Sequence, residues 1–310
     1  MVYDFIIIGG GPAGTAAAVY AARKQMKTLL ITEEFGGQSL VSADIQNWIG
    51  EPSISGYDLA KKFEEHVRSF SDVVDVKMPE KVVRVEEVEG GFKVTTESGE
   101  RFDGRTILLA LGARRRRLGI PGEDKFDGRG VAFCSTSDAP IFKNKVVAVI
   151  GGGNAGLEAV VDLLPYASKI YLLEYGDALK GDPVTQERIR REGKVEVLLR
   201  AQAKEIHGDT TVTGLTYTDR ATNAEKKLDL GGVFVEIGSV PNSETVKDLV
   251  ETDKYGQVII DSKHGTTSHE GIFAAGDITD DPYKQNNISA GDAVKATLAA
   301  YGYLQRIGRT

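Results

Sequence analysis

The sequence predicts an α/β fold built from two three-layer domains that share one plan, each with a β-meander. One observation is a repeated succession of strand, glycine turn, helix and strand, which begins at Phe5 and again at Val146. The copies are about 140 residues apart, which is too far for a solenoid repeat and suits two separate domains. A second observation is that short alternating segments, typical of a β-meander, follow each copy. With 310 residues, 41% of them hydrophobic, the chain can bury two cores.

The first copy supplies the beginning of the first domain. Its strand, glycine turn, alanine-rich helix and second strand form a βαβ unit, over 5–8, 9–11, about 14–24 and 28–32. An antiparallel meander is predicted beside this unit, from segments bounded by Gly-Gly and Asp-Gly turns, over 82–88, 92–96 and 106–111.

The second copy has the same elements, over 146–150, 151–153, 154–164 and 170–173, with meander strands over 195–201, 212–218 and 226–230. The last segment holds one strand and turn at 271–277 and a long helix from about Ser289, without a glycine loop of its own. We therefore expect it to complete the first domain. The predicted domains are 1–114 with 240–310, and 115–239.

Composition excludes several classes of function. A net charge of −7 and a pI of about 5.3 argue against nucleic-acid binding, which depends on a clustered basic surface. No segment approaches the roughly 20 apolar residues that cross a bilayer, and the N-terminus lacks the basic start of a cleaved signal. We therefore expect a cytoplasmic protein that binds neither membranes nor nucleic acid. One cysteine and four scattered histidines predict no disulfide framework and no metal site.

The first glycine turn has the spacing of a dinucleotide-binding loop, with Pro12 and Ala13 inside it. Gly9 permits the tight turn, Gly11 lets the backbone approach a pyrophosphate, and Gly14 lets helix and strand pack closely. An acid about 20 residues later holds a ribose hydroxyl in such loops, and Glu33 follows Gly14 by 19 residues. Because strand, loop, helix and acid agree, we prefer a Rossmann-like nucleotide site to a glycine turn without a ligand.

The second glycine turn repeats the pattern over six residues, Gly151-Gly152-Gly153-Asn154-Ala155-Gly156. Glu174 follows Gly156 by 18 residues, at the end of the next predicted strand. A carboxylate there accepts hydrogen bonds from ribose hydroxyls and repels a 2′-phosphate. Lys180 is the only nearby cation in the sequence, so this site is predicted to take NADH rather than NADPH.

These features, with several further motifs, give the chain a family resemblance over nearly its whole length. It resembles the low-molecular-weight thioredoxin reductases, within the class II pyridine nucleotide-disulfide oxidoreductases. It is most similar to the C-terminal flavoprotein portion of the alkyl hydroperoxide reductase reductase subunit. The motifs are Phe35-Gly36-Gly37-Gln38, Asn47-Trp48-Ile49-Gly50, Ala110-Leu111-Gly112-Ala113, Ile120-Pro121-Gly122-Glu123-Asp124, Gly276-Asp277 and Tyr283-Lys284-Gln285.

The resemblance implies FAD in the first domain and a homodimer. The residues that it places at FAD are Gly37, Gln38, Asn47, Ala110, Gly112, Gly276, Asp277, Lys284 and Gln285. Family members that use NADPH carry a His-Arg-Arg cluster and a further Arg where this chain reads Glu174, Tyr175, Gly176 and Lys180, which agrees with the NADH prediction. The thioredoxin-like extension of the hydroperoxide reductase subunit has no counterpart in the sequence, so we expect a separate thioredoxin-like or glutaredoxin-like partner.

One departure from the family concerns the catalytic Cys-x-x-Cys-Asp element. This chain reads Cys134, Ser135, Thr136, Ser137 and Asp138. A serine hydroxyl is hardly ionised at neutral pH and forms no disulfide, whereas a cysteine thiolate can be both nucleophile and leaving group. The resemblance thus implies an FAD-dependent disulfide reductase driven by NADH, in a Cys-x-x-Ser form that should not complete turnover.

Two explanations for Ser137 stay open. It can be an engineered replacement of the resolving cysteine, which is favoured because Cys134 and the candidate general acid Asp138 both remain. It can also belong to a natural flavin reductase or oxidase that passes electrons to a quinone, a ferredoxin-like protein, a metal ion or oxygen. A separate alternative is that Cys134 is only a small buried residue. A third hypothesis, from another class, is a non-enzymatic sensor that binds both nucleotides.

Overall fold

A computed structural model describes residues 1–42 and 44–308 of the chain. The chain divides into two compact units, Met1–Arg114 with Val240–Thr310, and Arg115–Ser239. The last two residues of the predicted first domain lie outside the described residues. The α/β class with two units that each begin a parallel sheet with a βαβ repeat, predicted from the sequence, is confirmed.

The described strands and helices are named here in chain order. The strands are β1 (Val2–Gly10), β2 (Thr28–Phe35), β3 (Val74–Lys77), β4 (Val82–Val88), β5 (Gly91–Thr96), β6 (Arg101–Leu109), β7 (Ala113–Arg115), β8 (Val131–Ala132), β9 (Val146–Ile150), β10 (Lys169–Glu174), β11 (Val195–Leu199), β12 (Ala201–Gly208), β13 (Val212–Asp219), β14 (Ala224–Asp229), β15 (Gly232–Val235), β16 (Ser239–Pro241) and β17 (Ile272–Ala274). The α-helices are α1 (Pro12–Arg23), α2 (Gly56–Arg68), α3 (Ser135–Asp138), α4 (Asn154–Leu163), α5 (Pro183–Arg190) and α6 (Asn286–Arg306). Short 3₁₀ turns cover Gly37–Val41 and Ala139–Phe142.

Local signals explain where several helices begin. Pro12 is the first residue of α1, where its missing N–H costs no hydrogen bond and its fixed φ suits a helix, so α1 begins before the expected Gly14. The Ser55 hydroxyl accepts from the Asp58 amide at 3.0 Å and caps α2. Asp182 caps α5 by accepting from the Thr185 amide at 2.8 Å.

The main sheet of the first unit has the order β3-β2-β1-β6-β5-β4, with β17 pairing with β6. β1 pairs parallel with β2 and β6, and their central residues are buried, as expected for a sheet covered on both faces. The pairing of β17 with β6 aligns Ile272 with Ile107 and joins the last segment of the chain to the sheet.

The first meander was expected to pack beside the parallel sheet, but it continues that sheet instead. β5 pairs antiparallel with both β4 and β6, while β6 also pairs parallel with β1. The buried run Thr106–Leu109 of β6 needs neighbours on both sides, which explains why it became a central strand. On one face, small residues of α1 and α6, such as Ala18 and Ala296, pack into a common core.

In the second unit, a parallel sheet has the order β11-β10-β9-β15-β8. A separate antiparallel sheet has the order β12-β13-β14. The expected meander strand over 195–201 is wrong: β11 belongs to the parallel sheet, where Val195 pairs with Ile170. Arg200, with φ of 55°, ends that strand, and β12 begins one residue later as the first meander strand. β15 is also unpredicted, although Val233-Phe234-Val235 is an apolar run after two glycines.

The two connecting segments, β7 and β16, pair with each other in a small sheet. Among the described residues, none of the helices has both the length and the apolar composition that a membrane span requires.

Candidate nucleotide sites and redox segment

The first glycine loop joins β1 to α1, and two of its glycines are required by the fold itself. A Cβ added at Gly9 would lie 2.2 Å from the Ala110 carbonyl oxygen, and Gly9 has φ of +113°. A Cβ at Gly14 would lie 1.8 Å from the Gly9 carbonyl oxygen. Gly9 thus permits the turn against β6, and Gly14 permits close contact between helix and strand.

Gly11 differs from these two glycines. Its φ of −71° and ψ of −170° suit any residue, and a Cβ added there would meet no atom within 4 Å. Neither backbone strain nor packing explains a glycine at this place. The open space lies at the N-terminus of α1, where unbonded amides and the helix dipole favour an anion such as a pyrophosphate.

Several other residues predicted at FAD surround this loop. The Gly36 amide donates to the Gly10 carbonyl at 3.0 Å, and a Cβ at Gly37 would be 3.4 Å from the Gly11 Cα. A Cβ at Gly276 would be 3.3 Å from that of Ala13. The structure therefore brings the ends of β1, β2, β6 and β17 together at one edge of the sheet.

The polar side chains of the predicted FAD site form hydrogen bonds with one another or with the neighbouring backbone. Asn47 donates from Nδ2 to Oε1 of Gln285 at 3.1 Å, and the Gln38 amide donates to the Ala113 carbonyl. The Asp277 carboxylate accepts from the Ser289 hydroxyl at 3.4 Å.

Three further residues complete the predicted FAD set. The Lys284 ammonium donates to the Thr279 carbonyl at 2.6 Å, and burial lowers its pKa, an effect that the charge of Asp277 opposes. Gly112, with φ of +63°, accepts at its carbonyl from the Asn242 amide at 3.1 Å. The side chain of Glu33 is exposed near the end of β2.

The second glycine loop, between β9 and α4, has nearly the same geometry as the first. A Cβ at Gly151 would lie 2.3 Å from the Glu236 carbonyl oxygen, and one at Gly156 would lie 1.7 Å from the Gly151 carbonyl oxygen. Gly153 has φ of −84°, and a Cβ there would meet no atom within 4 Å. Ala155 is exposed at the start of α4. This loop also leaves open space in front of a helix N-terminus.

Glu174, the predicted ribose-binding acid, is buried at the end of β10 and bonded on both oxygens. Its Oε2 accepts from the Gly152 amide and its Oε1 from the Gly176 amide, each at 2.7 Å. The Lys180 amide donates to the Gly152 carbonyl at 2.8 Å, and Asn154 accepts at Oδ1 from the Asp182 amide at 2.7 Å. The glycine loop is thus braced from both sides.

The structure corrects the account of the cations near this loop. Arg220, directly after β13, lies over the Tyr175 ring with its guanidinium carbon 3.8 Å from the centroid. It also donates to the Tyr175 carbonyl at 2.9 Å. Lys180 is therefore not the only cation near the end of β10. The sequence alone did not indicate Arg220, because it lies 45 residues after Tyr175. The β12-β13 hairpin brings the two residues together.

The redox segment, residues 134–138, begins two positions after the end of β8. Cys134 is the residue before α3, and its carbonyl accepts from the Asp138 amide at 3.1 Å. The Ser137 hydroxyl is 2.8 Å from Oδ1 of Asp138 and 3.3 Å from the Cys134 carbonyl. Burial raises the pKa of Asp138, while Ser137 and the Arg115 charge oppose the rise. The three predicted catalytic residues therefore lie within one helical turn.

Glu236 lies beside this segment, and the sequence analysis did not identify it as a candidate site residue. It follows β15, and burial raises its pKa to about 8, with the Arg115 charge opposing and Asp138 adding to the rise. Its Oε1 is enclosed and makes no hydrogen bond within the part of the chain that the structure describes. An acid ending an apolar Val-Phe-Val run after two glycines is the signal that could have found it. No group of three metal-ligating side chains occurs among the described residues.

A family model for the pyridine nucleotide-disulphide oxidoreductases matches residues 3–297. The chain belongs to this family. It is 44% identical over 304 residues to a Bacillus subtilis protein named NADH dehydrogenase, and the match covers 98% of the chain and 59% of that protein. It is 43% identical over 307 residues to a subunit of alkyl hydroperoxide reductase from Escherichia coli, and this match covers 98% of the chain and 58% of that protein.

Among solved structures, thioredoxin reductase from Streptococcus pyogenes is 34% identical, with a TM-score of 0.91 over 98% of this chain and 99% of that one. The resemblance found in the motifs is therefore confirmed. The chain spans about three-fifths of the length of the two curated relatives. Family membership implies FAD and a pyridine nucleotide as cofactors, and the open spaces at Gly11 and Gly153 fit two such ligands.

Proposed function

We propose that this member of the pyridine nucleotide-disulphide oxidoreductases transfers electrons from NADH to FAD. FAD would bind the unit formed by 1–114 and 240–310, and NADH the unit 115–239. The observation that carries the proposal is the pair of glycines at 11 and 153, which neither φ nor packing requires. Each leaves space in front of a helix whose amides and dipole suit a pyrophosphate.

The residues around the first loop have distinct roles in this proposal. Gly11, Pro12 and Ala13 form the start of α1 that faces the pyrophosphate, and the exposed Glu33 would accept from the ribose hydroxyls. The other residues would line the rest of FAD, namely Gly37, Gln38, Asn47, Ala110, Gly112, Gly276, Asp277, Lys284 and Gln285. When bound, FAD supplies the two-electron chemistry, and these side chains orient it.

The proposed preference for NADH over NADPH rests on Glu174 and the absence of the family's His-Arg-Arg cluster. Glu174 uses one lone pair of each oxygen for backbone amides, so each oxygen can still accept a ribose hydroxyl. Its negative charge disfavours a 2′-phosphate. Arg220 is the opposing influence, because its guanidinium on Tyr175 would attract that phosphate.

The disulfide part of the proposal concerns the redox segment. A cysteine at position 137 would restore the pair that passes electrons to a thioredoxin-like or glutaredoxin-like protein, or to a peroxide-reducing system. Asp138 would hold the proton for that step, which its raised pKa supports. With Ser137, hydrogen-bonded to Asp138, the chain would carry out only the flavin reduction.

A second candidate function is reduction of another acceptor, such as a quinone or oxygen, without dithiol chemistry. It is favoured by the sequence itself, since Cys134 is the only cysteine. A homodimer, which the resemblance implies, belongs to both candidates and is checked by sedimentation of the FAD-loaded chain.

The deciding experiment compares the chain with its Ser137→Cys variant under anaerobic conditions. NADH should bleach the flavin absorbance of both proteins, and a chain that binds nucleotides without enzymatic function would show no bleaching. NADH-dependent reduction of a thioredoxin-like protein should then appear only in the variant. If neither protein reduces the disulfide while both bleach, the acceptor is of another class, and quinone and oxygen are assayed next.

A further inference from the structure

The strand order of the second unit places Glu236 at a special position in its sheet. The order reverses at β9, because β10 and β11 lie on one side of β9, and β15 and β8 lie on the other. Dinucleotides bind in the crevice at the carboxyl ends of the strands at such a reversal. Gly151 follows β9 and Glu236 follows β15, so these two residues flank the crevice. The Gly151 Cα hydrogen even faces the Glu236 carbonyl oxygen, where a Cβ would be 2.3 Å away.

Each side of the crevice takes one half of the dinucleotide. The acid after the second strand of the unit, here Glu174 on β10, belongs to the side of the adenine ribose. The nicotinamide half must then extend to the other side, over the ends of β15 and β8. β8 and β15 pair with Ala132 opposite Phe234, so Cys134 and Glu236 both follow these paired residues by two positions.

The surroundings of the Glu236 carboxyl make it an unusual group for that place. Its Oε1 is enclosed and makes no hydrogen bond to any described residue. The charged groups that face it are Arg115 from β7, Asp138 from α3 and Asp162 from α4. Burial, with the two neighbouring acids, raises its pKa to about 8. The carboxyl is therefore mostly neutral at pH 7 and can gain a charge at small cost.

Resting on the proposed function, we propose that Glu236 distinguishes the cationic ring of NAD⁺ from the neutral ring of NADH. A positive charge over the ends of β15 and β8 favours the ionised carboxyl, whereas a neutral ring does not. NAD⁺ therefore binds with release of the Glu236 proton to solvent, and NADH binds with the proton retained. Oxidation of the bound nucleotide and ionisation of Glu236 are thereby linked.

The sign of the pH dependence follows from this linkage. If NAD⁺ lowers the pKa of Glu236, the affinity of the chain for NAD⁺ rises as the pH increases toward about 8, the pKa of Glu236 without nucleotide. Above that pH the affinity is constant. A reduction of the pKa by about one unit corresponds to about a tenfold gain in NAD⁺ affinity between pH 6 and pH 9. A dinucleotide with a neutral ring should show no such gain.

The experiment uses the FAD-loaded chain, NAD⁺ and tetrahydro-NADH, a redox-inactive analogue with a neutral ring. Calorimetry at about pH 6, 7.5 and 9 gives both dissociation constants, and repetition in buffers of different ionisation enthalpy counts the protons released. Glu236→Gln should remove the pH dependence and the proton release for NAD⁺ while leaving the analogue unchanged. Glu196→Gln, which removes an exposed carboxyl paired with Lys169, is the matched control and should behave as the parent chain.

The outcomes separate this inference from the function on which it rests. Tighter NAD⁺ binding at high pH with proton release, absent for the analogue and in Glu236→Gln, supports the inference. Binding of both nucleotides with the same pH dependence overturns it and leaves NADH binding intact. Binding of neither nucleotide overturns the proposed function itself. If Glu236→Gln does not fold, the comparison of the two nucleotides on the parent chain still decides.

Discussion

The carboxyl group of Glu174 holds the second glycine loop by accepting the Gly152 amide at 2.7 Å. Its other oxygen accepts the Gly176 amide at the same distance, and the side chain is buried. An acid at the end of β10 therefore shapes the loop before any nucleotide arrives. The spacing between glycine loop and acid has a structural cause in this unit as well as a ligand-binding one.

Glu174→Gln should destabilise the chain, because a side-chain amide can accept from only one of these two backbone amides with the same geometry. The lost bond to a buried donor is worth about 1–3 kcal/mol of the free energy of unfolding. Urea unfolding without nucleotides measures this loss. Glu196→Gln, which breaks an exposed ion pair with Lys169, should change stability by less than about 0.5 kcal/mol. Equal stabilities for Glu174→Gln and the parent would refute the bracing role.

Gly153→Ala and Gly11→Ala should each remove one ligand without harming the fold. Both sites have allowed φ and free space for a Cβ, but both residues are N-caps, where alanine is less favourable than glycine, so alanine should lower the stability by no more than about 1 kcal/mol. Gly153→Ala should weaken NADH binding at least about tenfold while retaining FAD, because its methyl group fills the space in front of α4. Gly11→Ala should lower the FAD content of the purified chain.

Gly14→Ala is the contrasting variant for this pair. Its Cβ would lie 1.8 Å from the Gly9 carbonyl oxygen, so it should unfold the first unit rather than affect a ligand alone. Thermal unfolding and flavin absorbance of the three variants separate the two kinds of glycine. Normal FAD content in Gly11→Ala would contradict the assignment of that loop.

The sequence predicted the parts of the fold that depend on local pattern. The βαβ units around Gly9 and Gly151 could be found because a tight turn and a close helix-strand contact restrict those positions to glycine. The strand over 195–201 could not be assigned correctly, because one residue with positive φ, Arg200, separates two strands that belong to different sheets. Pairing partners far apart in the chain decide that difference, and no local pattern encodes them.

Some residues of the candidate site could be predicted from local sequence spacing, and others could not. The loop glycines have fixed spacing from one another, and Glu174 has fixed spacing from the loop, so the sequence predicted all of them. Arg220 and Glu236 have no such spacing, because a β-turn and a crossover strand bring them to the second glycine loop. The charge around the second glycine loop was therefore the least predictable property.

Arg220→Ala should increase the preference for NADH over NADPH. The Arg220 guanidinium lies on Tyr175, directly after Glu174, where a 2′-phosphate would be attracted to it. The ratio of kcat/KM for flavin reduction by NADH and NADPH should rise about fivefold or more, through loss of NADPH activity. Lys227→Ala, which removes an exposed cation on β14, is the control and should leave the ratio unchanged. A ratio unchanged in Arg220→Ala would exclude Arg220 from nucleotide selection.

Glu236 should make the stability of the chain fall as the pH rises. Its folded pKa of about 8 lies above the ordinary 4.5, so between these values the folded chain holds a proton that the unfolded chain has released. The free energy of unfolding therefore decreases from about pH 4.5 to about pH 8 and is level above, by at most about 5 kcal/mol. Urea midpoints at about pH 5 and pH 8.5 should differ less in Glu236→Gln than in the parent. Parallel pH profiles would mean that the Glu236 carboxyl is ionised in the folded chain at neutral pH, and the link between its proton and the charge of the nicotinamide ring would then lose its physical basis.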